Sequence, residues 1–349
     1  MDSKPKILKV TQPDYNLVQA FLKTHPTKNL ANEIRMSREL VRQCSHQRLP
    51  GETLFTILNG KALEVALTLK DDLLSDIVPG IDGDDMMYRI ILALSSLLYN
   101  QTDDKGAVDL NGSTDYILSV IGEKPSSCAV IKRSAKELIC ECKRPVIAFK
   151  ISQLASLVFG RKAGYKDRKR VEQFLVSING KNACFYQGQR AIFNPLLAGV
   201  WRISPDSLVN QEKEIWIVEL DGIFALDIKT NYATFRADIM ANLIGHQKSI
   251  MFRLLLVLTE LKSYKKSDRI LNKTISRNSL LARICSAKRY DTHPRDREKD
   301  FEDALITMAK LKLIPPIFKI NGDYDKEKSG YYETNEKGEI IGHFRILPG

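Results

Sequence analysis

One block of this sequence occurs twice, and that constrains the fold more than any other feature. Met86–Leu98 aligns without gaps on Ile250–Lys262. Met87 falls on Met251, Arg89 on Arg253, Leu92 on Leu256, Leu94 on Leu258 and Leu97 on Leu261, and most other positions keep their character. Wound as a helix, each block is apolar on nearly every side, which predicts a helix enclosed at the centre of a domain. Two such blocks predict two related domains. A chain of 349 residues is long for one ordinary core and suits that division.

A second correspondence lies downstream. In Ile151–Phe159 and Ile275–Ile284 a strand-like Ile precedes Ser152 or Ser276, each placed to cap a short helix through its hydroxyl. Leu154, Leu157 and Val158 share one face, as do Leu280, Leu281 and Ile284. A basic turn follows both times: Gly160–Tyr165, then Cys285–Pro294. After it comes a longer amphipathic helix, from about Lys166 to Ile178 and from about Asp296 to Leu311. Their apolar stripes are Val171, Phe174, Leu175, Ile178 and Phe301, Leu305, Met308, Leu311.

Strand pairs close each copy. Ala183–Tyr186 with Ala191–Phe193 is the first, and Leu313–Ile320 with Ile340–Leu347 is the second. The charged, glycine-bearing stretch Asn321–Glu339 reads as a hairpin tip. Helix, strand, short helix, turn, longer helix and hairpin is the order of a winged helix. The expected fold is therefore α+β: two tandem winged-helix domains, 81–245 with linking strands and 246–349, behind a mostly helical N-terminal extension, 1–80. An all-helical repeat is the other arrangement the pattern permits.

Outside the repeat the signals are shorter. Leu17–Leu22 and Leu30–Val41 read as helices separated at Pro26. Asp76–Asp85 and Gln101–Ser113 read as turn-rich loops. Ile215–Leu220 and the aromatic segment around Tyr232 and Phe235 read as strands and a short helix that link or brace the two domains.

Charge supplies the functional direction. Lys and Arg number 53 against 42 acids, a net +11 with pI near 9.2, which favours a polyanionic partner. Position says more than the total. Arg161–Arg170 holds six bases and one acid, and Lys262–Lys299 holds twelve bases and four acids. Both clusters fall on the turn and the start of the third helix, the elements a winged helix presents to the major groove and its phosphates. A solvated face would carry the same charges. Glu298, Asp300, Glu302 and Asp303 also crowd the last helix, where they suit its dipole but repel phosphate. On this reading phosphate contacts supply most of the affinity, with Arg297 or Asn278 left to read bases. Tyr165 and Tyr290 add phenols that bond phosphate or pack under the turn.

Other classes find little support. Ile90–Leu98 and Leu254–Leu258 fall far short of the roughly 20 apolar residues of a spanning helix. The first residues lack the apolar core of a secretory signal, so a cytoplasmic protein with no membrane partner is expected. Cys44, Cys128, Cys140, Cys142, Cys184 and Cys285 are scattered and read as reduced core thiols. Cys140 and Cys142 have no second pair or nearby His to complete a zinc site. No phosphate-cradling loop and no paired-histidine spacing occurs, and the acid pairs suit turns and helix starts. The expectation is a protein without catalytic residues, metal or cofactor, and not an enzyme.

Over residues 84–349 the chain resembles the plasmid replication initiators that bind repeated origin sites, or iterons. Met86–Leu98, Ile151–Ile178 and above all Ile250–Ile314 carry the likeness, ending in Arg297–Leu305. The resemblance implies two winged helices, the second making the main sequence-specific contact. It implies that Arg295, Arg297 and Lys299 enter the groove while Arg277, Asn278, Lys288 and Arg289 hold phosphates. Arg161, Lys162, Lys166, Lys169 and Arg170 are the first domain's counterparts, with Tyr165 and Arg168 in the same cluster. The implied function is initiation at double-stranded origin repeats, with a homodimer and a host helicase or initiator as further partners. The leader, the insertion between the first two helices of copy one, and the acidic last helix depart from the pattern. A tandem winged-helix transcriptional regulator and a winged-helix protein-interaction module are the competing readings.

Overall fold

Six consecutive residues, Ile215–Leu220, are buried, as expected only of a strand covered on both faces. The computed structural model describes residues 5–24, 33–46, 86–101, 110–131, 139–180, 182–187, 190–205, 214–236, 238–239, 248–262, 265–266, 269–270, 273–276, 294–313, 317–320, 330–334 and 340–347.

The protein is α+β. In chain order its described elements begin with β1 (Lys6–Val10), α1 (Gln12–Thr24), β2 (Glu33–Ser37), α2 (Arg38–His46), α3 (Met86–Asn100) and α4 (Leu110–Ile121). There follow β3 (Ser127–Ile131), β4 (Ile139–Lys143), β5 (Val146–Phe149), α5 (Ile151–Phe159), α6 (Tyr165–Ile178), β6 (Asn182–Gln187), β7 (Arg190–Pro195), β8 (Leu197–Pro205), β9 (Ile215–Leu220) and β10 (Tyr232–Arg236). The last part holds α7 (Lys248–Lys262), β11 (Lys265–Lys266), β12 (Arg269–Ile270), β13 (Lys273–Ser276), α8 (Pro294–Lys310), β14 (Ile317–Ile320), β15 (Gly330–Thr334) and β16 (Ile340–Leu347). Two compact units divide these elements. One takes Met1–Leu40, Leu54–Pro79 and Arg89–Ala241; the other takes Val41–Thr53, Gly80–Tyr88 and Asn242–Gly349.

In the first unit a four-stranded sheet runs in the order β1-β8-β9-β5. β1 lies parallel to β8, while β9 is antiparallel to both of its neighbours. Because side chains alternate across a strand, Ile215 and Ile217 turn to one face with Val146, Ala148 and Ile203. There they meet Tyr15, Val18 and Leu22 of α1 and Ile117 and Leu118 of α4. Ile215–Leu220 therefore belongs to the core of this unit, which corrects its reading as a link or brace. The outer edge of β5 is also closed. Gln101 donates its amide to Ala148 O at 2.6 Å and accepts the Ala148 N–H at 3.1 Å, standing in for a missing strand.

Several local expectations need correction. Leu30–Val41 is not one helix: Glu33–Ser37 is a strand antiparallel to Tyr232–Arg236, with Ile34 and Met36 buried on its inner side. The alternation Ile34-Arg-Met36 suits a strand, and the apolar spacing beyond it starts α2. The loop expected over Gln101–Ser113 ends early, because Leu110–Ser113 form the first turn of α4. Ser152 is not a cap. The helix begins at Ile151, directly after β5, and the Gln153 side chain accepts the Lys150 N–H at 2.9 Å.

Of the helices expected from the repeat, α3, α5, α6, α7 and α8 are present, while the short helix expected over Ile275–Ile284 lies outside the described residues beyond Ser276. Tyr88–Leu98 of α3 and Ile250–Leu258 of α7 are buried on every side, as their composition requires. In the second unit Phe301, Ala304, Leu305 and Met308 form the buried side of α8, which packs on α7. Tyr88 and Phe252 lie with ring centroids 6.3 Å apart, and the Arg253 guanidinium sits 5.4 Å above the Tyr88 ring.

The second sheet corrects another expectation. Gly330–Thr334, read as part of a hairpin tip, is a strand, and the order is β13-β16-β15-β14. Tyr331, Tyr332 and Thr334 have the side chains that favour a pleated surface. The strands at corresponding places of the two copies also bond differently: β5 pairs antiparallel with β9, β13 parallel with β16. The hairpin β6–β7 forms a two-stranded sheet of its own.

Candidate nucleic-acid interface

Helices α5 and α6 pack against one another, and the turn between them carries the densest basic run of the sequence. Leu154, Ala155, Val158 and Phe159 bury one side of α5. It ends at Gly160, whose φ of 62° is left-handed, and the Gly160 N–H donates to Leu157 O at 3.2 Å. A side chain at that position would be strained, which is why glycine is favoured there.

Side chains then hold the turn. Ser156 Oγ accepts the Ala163 N–H at 3.1 Å, and Asp167 Oδ2 accepts the Gly164 N–H at 3.0 Å. Asp167 also receives Arg161 through two bonds: Nη1 to Oδ2 at 2.7 Å and Nη2 to Oδ1 at 3.1 Å. These Arg161 bonds, with the Gly164 N–H, keep the Asp167 carboxyl ionised to lower pH than usual. Arg161 also stacks over Phe159, 5.5 Å from its centroid. Much of its guanidinium is engaged within the turn, beside exposed basic neighbours.

Helix geometry sorts those neighbours. Val171, Leu175 and Ile178 bury one side of α6. The opposite side exposes Tyr165, Lys166, Lys169, Arg170 and Gln173, and Lys162 is exposed in the turn beside it. Arg168 is half-buried and lies outside this face. Gln173 was not among the expected residues. Its signal was the spacing Tyr165, Lys169, Gln173, which stacks three side chains on successive turns. At 63% exposure Tyr165 extends into solvent instead of packing under the turn.

The back of α6 is tied to the sheet. Arg202 on β8 reaches Glu172 of α6 with Nη1 at 3.3 Å. The same guanidinium bonds Glu214 and lies 5.1 Å over the Trp216 ring. The buried stripe of Val171, Leu175 and Ile178 sets the rotation of α6, and this ion pair adds a link to the sheet. The basic face is thereby presented by a rigid support.

In the second unit α8 is more mixed. Arg295 and Lys299 are exposed, and so are Asp296 and Asp303, while Asp300 is half-buried. Arg297 lies within the helix, but its side chain falls outside the described ones, as do Arg277, Asn278, Lys288, Arg289 and Tyr290 altogether. Among the described residues no group of three or more His, Cys, Asp or Glu is placed to hold a metal ion, and no helix is long and apolar enough to cross a membrane. No protein-family model, curated protein or solved structure matches the chain.

Proposed function

We propose that this chain binds double-stranded DNA through two tandem winged helices, with α6 of the first unit lying in the major groove. The observation that carries the reading is the exposed face of α6 and its turn. Lys162, Lys166, Lys169 and Arg170 stand together there with Tyr165 and Gln173, above an apolar stripe that anchors the helix. The helix also begins within this basic cluster, at Tyr165, and a helix N-terminus favours an anion. The lysines and Arg170 bond phosphates and position the protein; Gln173 reads a base edge, as an amide suits adenine. Arg295, Arg297 and Lys299 of α8 are the corresponding groove-facing residues of the second unit. Arg277, Asn278, Lys288 and Arg289 hold phosphates beside them.

Within DNA binding we favour initiation of plasmid replication at repeated origin sites, in the cytoplasm, by binding and not by catalysis. The likeness to iteron-binding initiators and the doubled helix block support this. Homodimerisation and recruitment of a host helicase or initiator complete the proposal. The test is footprinting of the purified chain on the DNA flanking its own gene. Protection of direct repeats of about 20 base pairs, spaced near two helical turns, is expected, because half-site spacing follows helical pitch. One protected inverted repeat would favour a transcriptional regulator. No protection and no shift at low salt would overturn DNA binding and leave a protein-interaction module.

A further inference from the structure

Three of the cysteines project from the hairpin β3–β4. The register sets Cys128 opposite Cys142 and Val130 opposite Cys140, and alternation turns all four side chains to the same face. Cys128 is buried and Cys142 half-buried. Their thiols share a hydrogen bond, and the Gly222 N–H donates to Cys128 Sγ at 3.1 Å. Gly222 is the floor of this pocket. A Cβ there would lie 2.9 Å from Cys128 Sγ and closer still to Cys142 Sγ, so only a glycine lets both sulfurs settle against the backbone. Beside them stand wholly buried Asp221 and, facing it, the Arg144 guanidinium, 3.9 Å from Asp221 Oδ2.

We propose that Cys128 and Cys142 form an oxidisable pair, which hydrogen peroxide closes to a disulfide across the hairpin. The register puts the two thiols directly across the ladder from one another. The Arg144 N–H bonds Ser126 O at 2.9 Å, which marks that pair as hydrogen-bonded, and Cys128 with Cys142 is the next such pair along the ladder. Residues so paired have Cα atoms about 5.5 Å apart, inside the span of disulfides, while their Cβ atoms, roughly 5 Å apart, must draw together by about 1 Å for the bond to close. Cys140 lies opposite Val130, so its directly facing neighbour is not a thiol.

The chemistry balances with one peroxide. A thiolate of the pair attacks the peroxide oxygen; the S–O bond forms, the O–O bond breaks, and hydroxide leaves and takes up a proton as water. The second sulfur then attacks the resulting sulfenic acid. The S–S bond forms, the S–O bond breaks, and the second thiol's proton departs with the leaving hydroxide as another water. Two electrons pass from the thiols to the peroxide. The hydrogen bond between the thiols supports the first step: donation from Cys142 eases ionisation of Cys128, whereas the same bond, and after it burial and the neighbouring thiolate, push Cys142 upward.

The test treats the full chain with hydrogen peroxide, blocks residual thiols, and maps peptides without reduction. A single disulfide joining the Cys128 and Cys142 peptides is expected, with the free-thiol count falling by two and restored by dithiothreitol. Cys140→Ser should behave like the parent chain, whereas Cys128→Ser and Cys142→Ser should each form no such link. Far-ultraviolet circular dichroism reports whether a variant has folded, and the mapping of the unsubstituted chain decides the matter regardless. Linkage through Cys140, irreversible sulfinic or sulfonic products at Cys128 or Cys142, or an unchanged thiol count would each overturn the assignment.

Discussion

Asp167 holds Arg161 by two nearly parallel bonds, 2.7 and 3.1 Å, and the same carboxylate accepts the Gly164 N–H. One acid thereby fixes a turn crowded with cations while lowering their local potential. Asp167→Asn keeps an acceptor for Gly164 and removes the charge. The Arg161 side chain is half-exposed, so solvent screens the pair, and the stability loss should stay at or below about 1 kcal/mol. If the turn meets phosphate as proposed, removing its one negative charge should raise DNA affinity several-fold at low salt. Unfolding midpoints and titration of labelled duplex check both. A loss of affinity would mean that the turn's shape matters more than its potential.

The face of α6 makes a sharper demand. Lys166→Ala and Lys169→Ala should each weaken binding alike on the true site and on random duplex, and each should lower the slope of log K against log salt by about 1. Gln173→Ala should instead cost about 1–3 kcal/mol on the true site and little elsewhere. Binding isotherms over a salt series separate the two behaviours. Lysine variants that change specificity without changing the slope would remove them from the phosphate contacts.

Much of this was legible in the sequence because it rested on long, unambiguous periods. The helices α3 and α7 carry apolar residues on every side, and Val171, Leu175 and Ile178 repeat at helical spacing. The turn was legible from Gly160 and its bases. What escaped were partnerships set by distant chain. Lys6–Val10 and Glu33–Ser37 are short strands whose partners, β8 and β10, lie far along the sequence. Ile215–Leu220 looks like any apolar run until β5 and β8 flank it. The Arg161–Asp167 pair was hidden because sequence counts charges without saying which ones neutralise each other. Gln173 was hidden because an amide adds nothing to such a count.

Gln101 offers a test of the sheet edge that leads into α5. It is buried, and its amide meets both backbone groups of Ala148. Gln101→Ala would leave an N–H and a C=O without those bonds beside a closed core. Unmade buried bonds cost about 1–3 kcal/mol each, less any water that enters. A loss of about 2–3 kcal/mol is expected in urea unfolding, with Gln101→Glu recovering little of it because a carboxylate cannot donate to Ala148 O. A loss under 0.5 kcal/mol would show that the edge is solvated.

Asp221 provides a pH signature of the buried cluster beside β9. It is fully buried; Oδ1 accepts the Ile223 N–H at 2.9 Å, while Oδ2 stands 3.9 Å from Arg144, beyond hydrogen-bond reach. Burial is the leading effect and lifts its pKa to about 6; the Ile223 bond and Arg144 oppose it only in part. An unfolded aspartate titrates near 3.9. The folded state therefore binds more protons than the unfolded one between about pH 4 and 6. Stability from this group is complete below about pH 4 and declines as pH rises through about 6, by a total on the order of 3 kcal/mol. Asp221→Asn keeps an acceptor for Ile223 and abolishes the titration. The variant should thus gain stability relative to the parent chain as pH rises from 4 to 7. Urea unfolding of both proteins at the two pH values reads the difference directly. A difference that stays constant with pH would show that Asp221 is ionised throughout and that Arg144 compensates its burial.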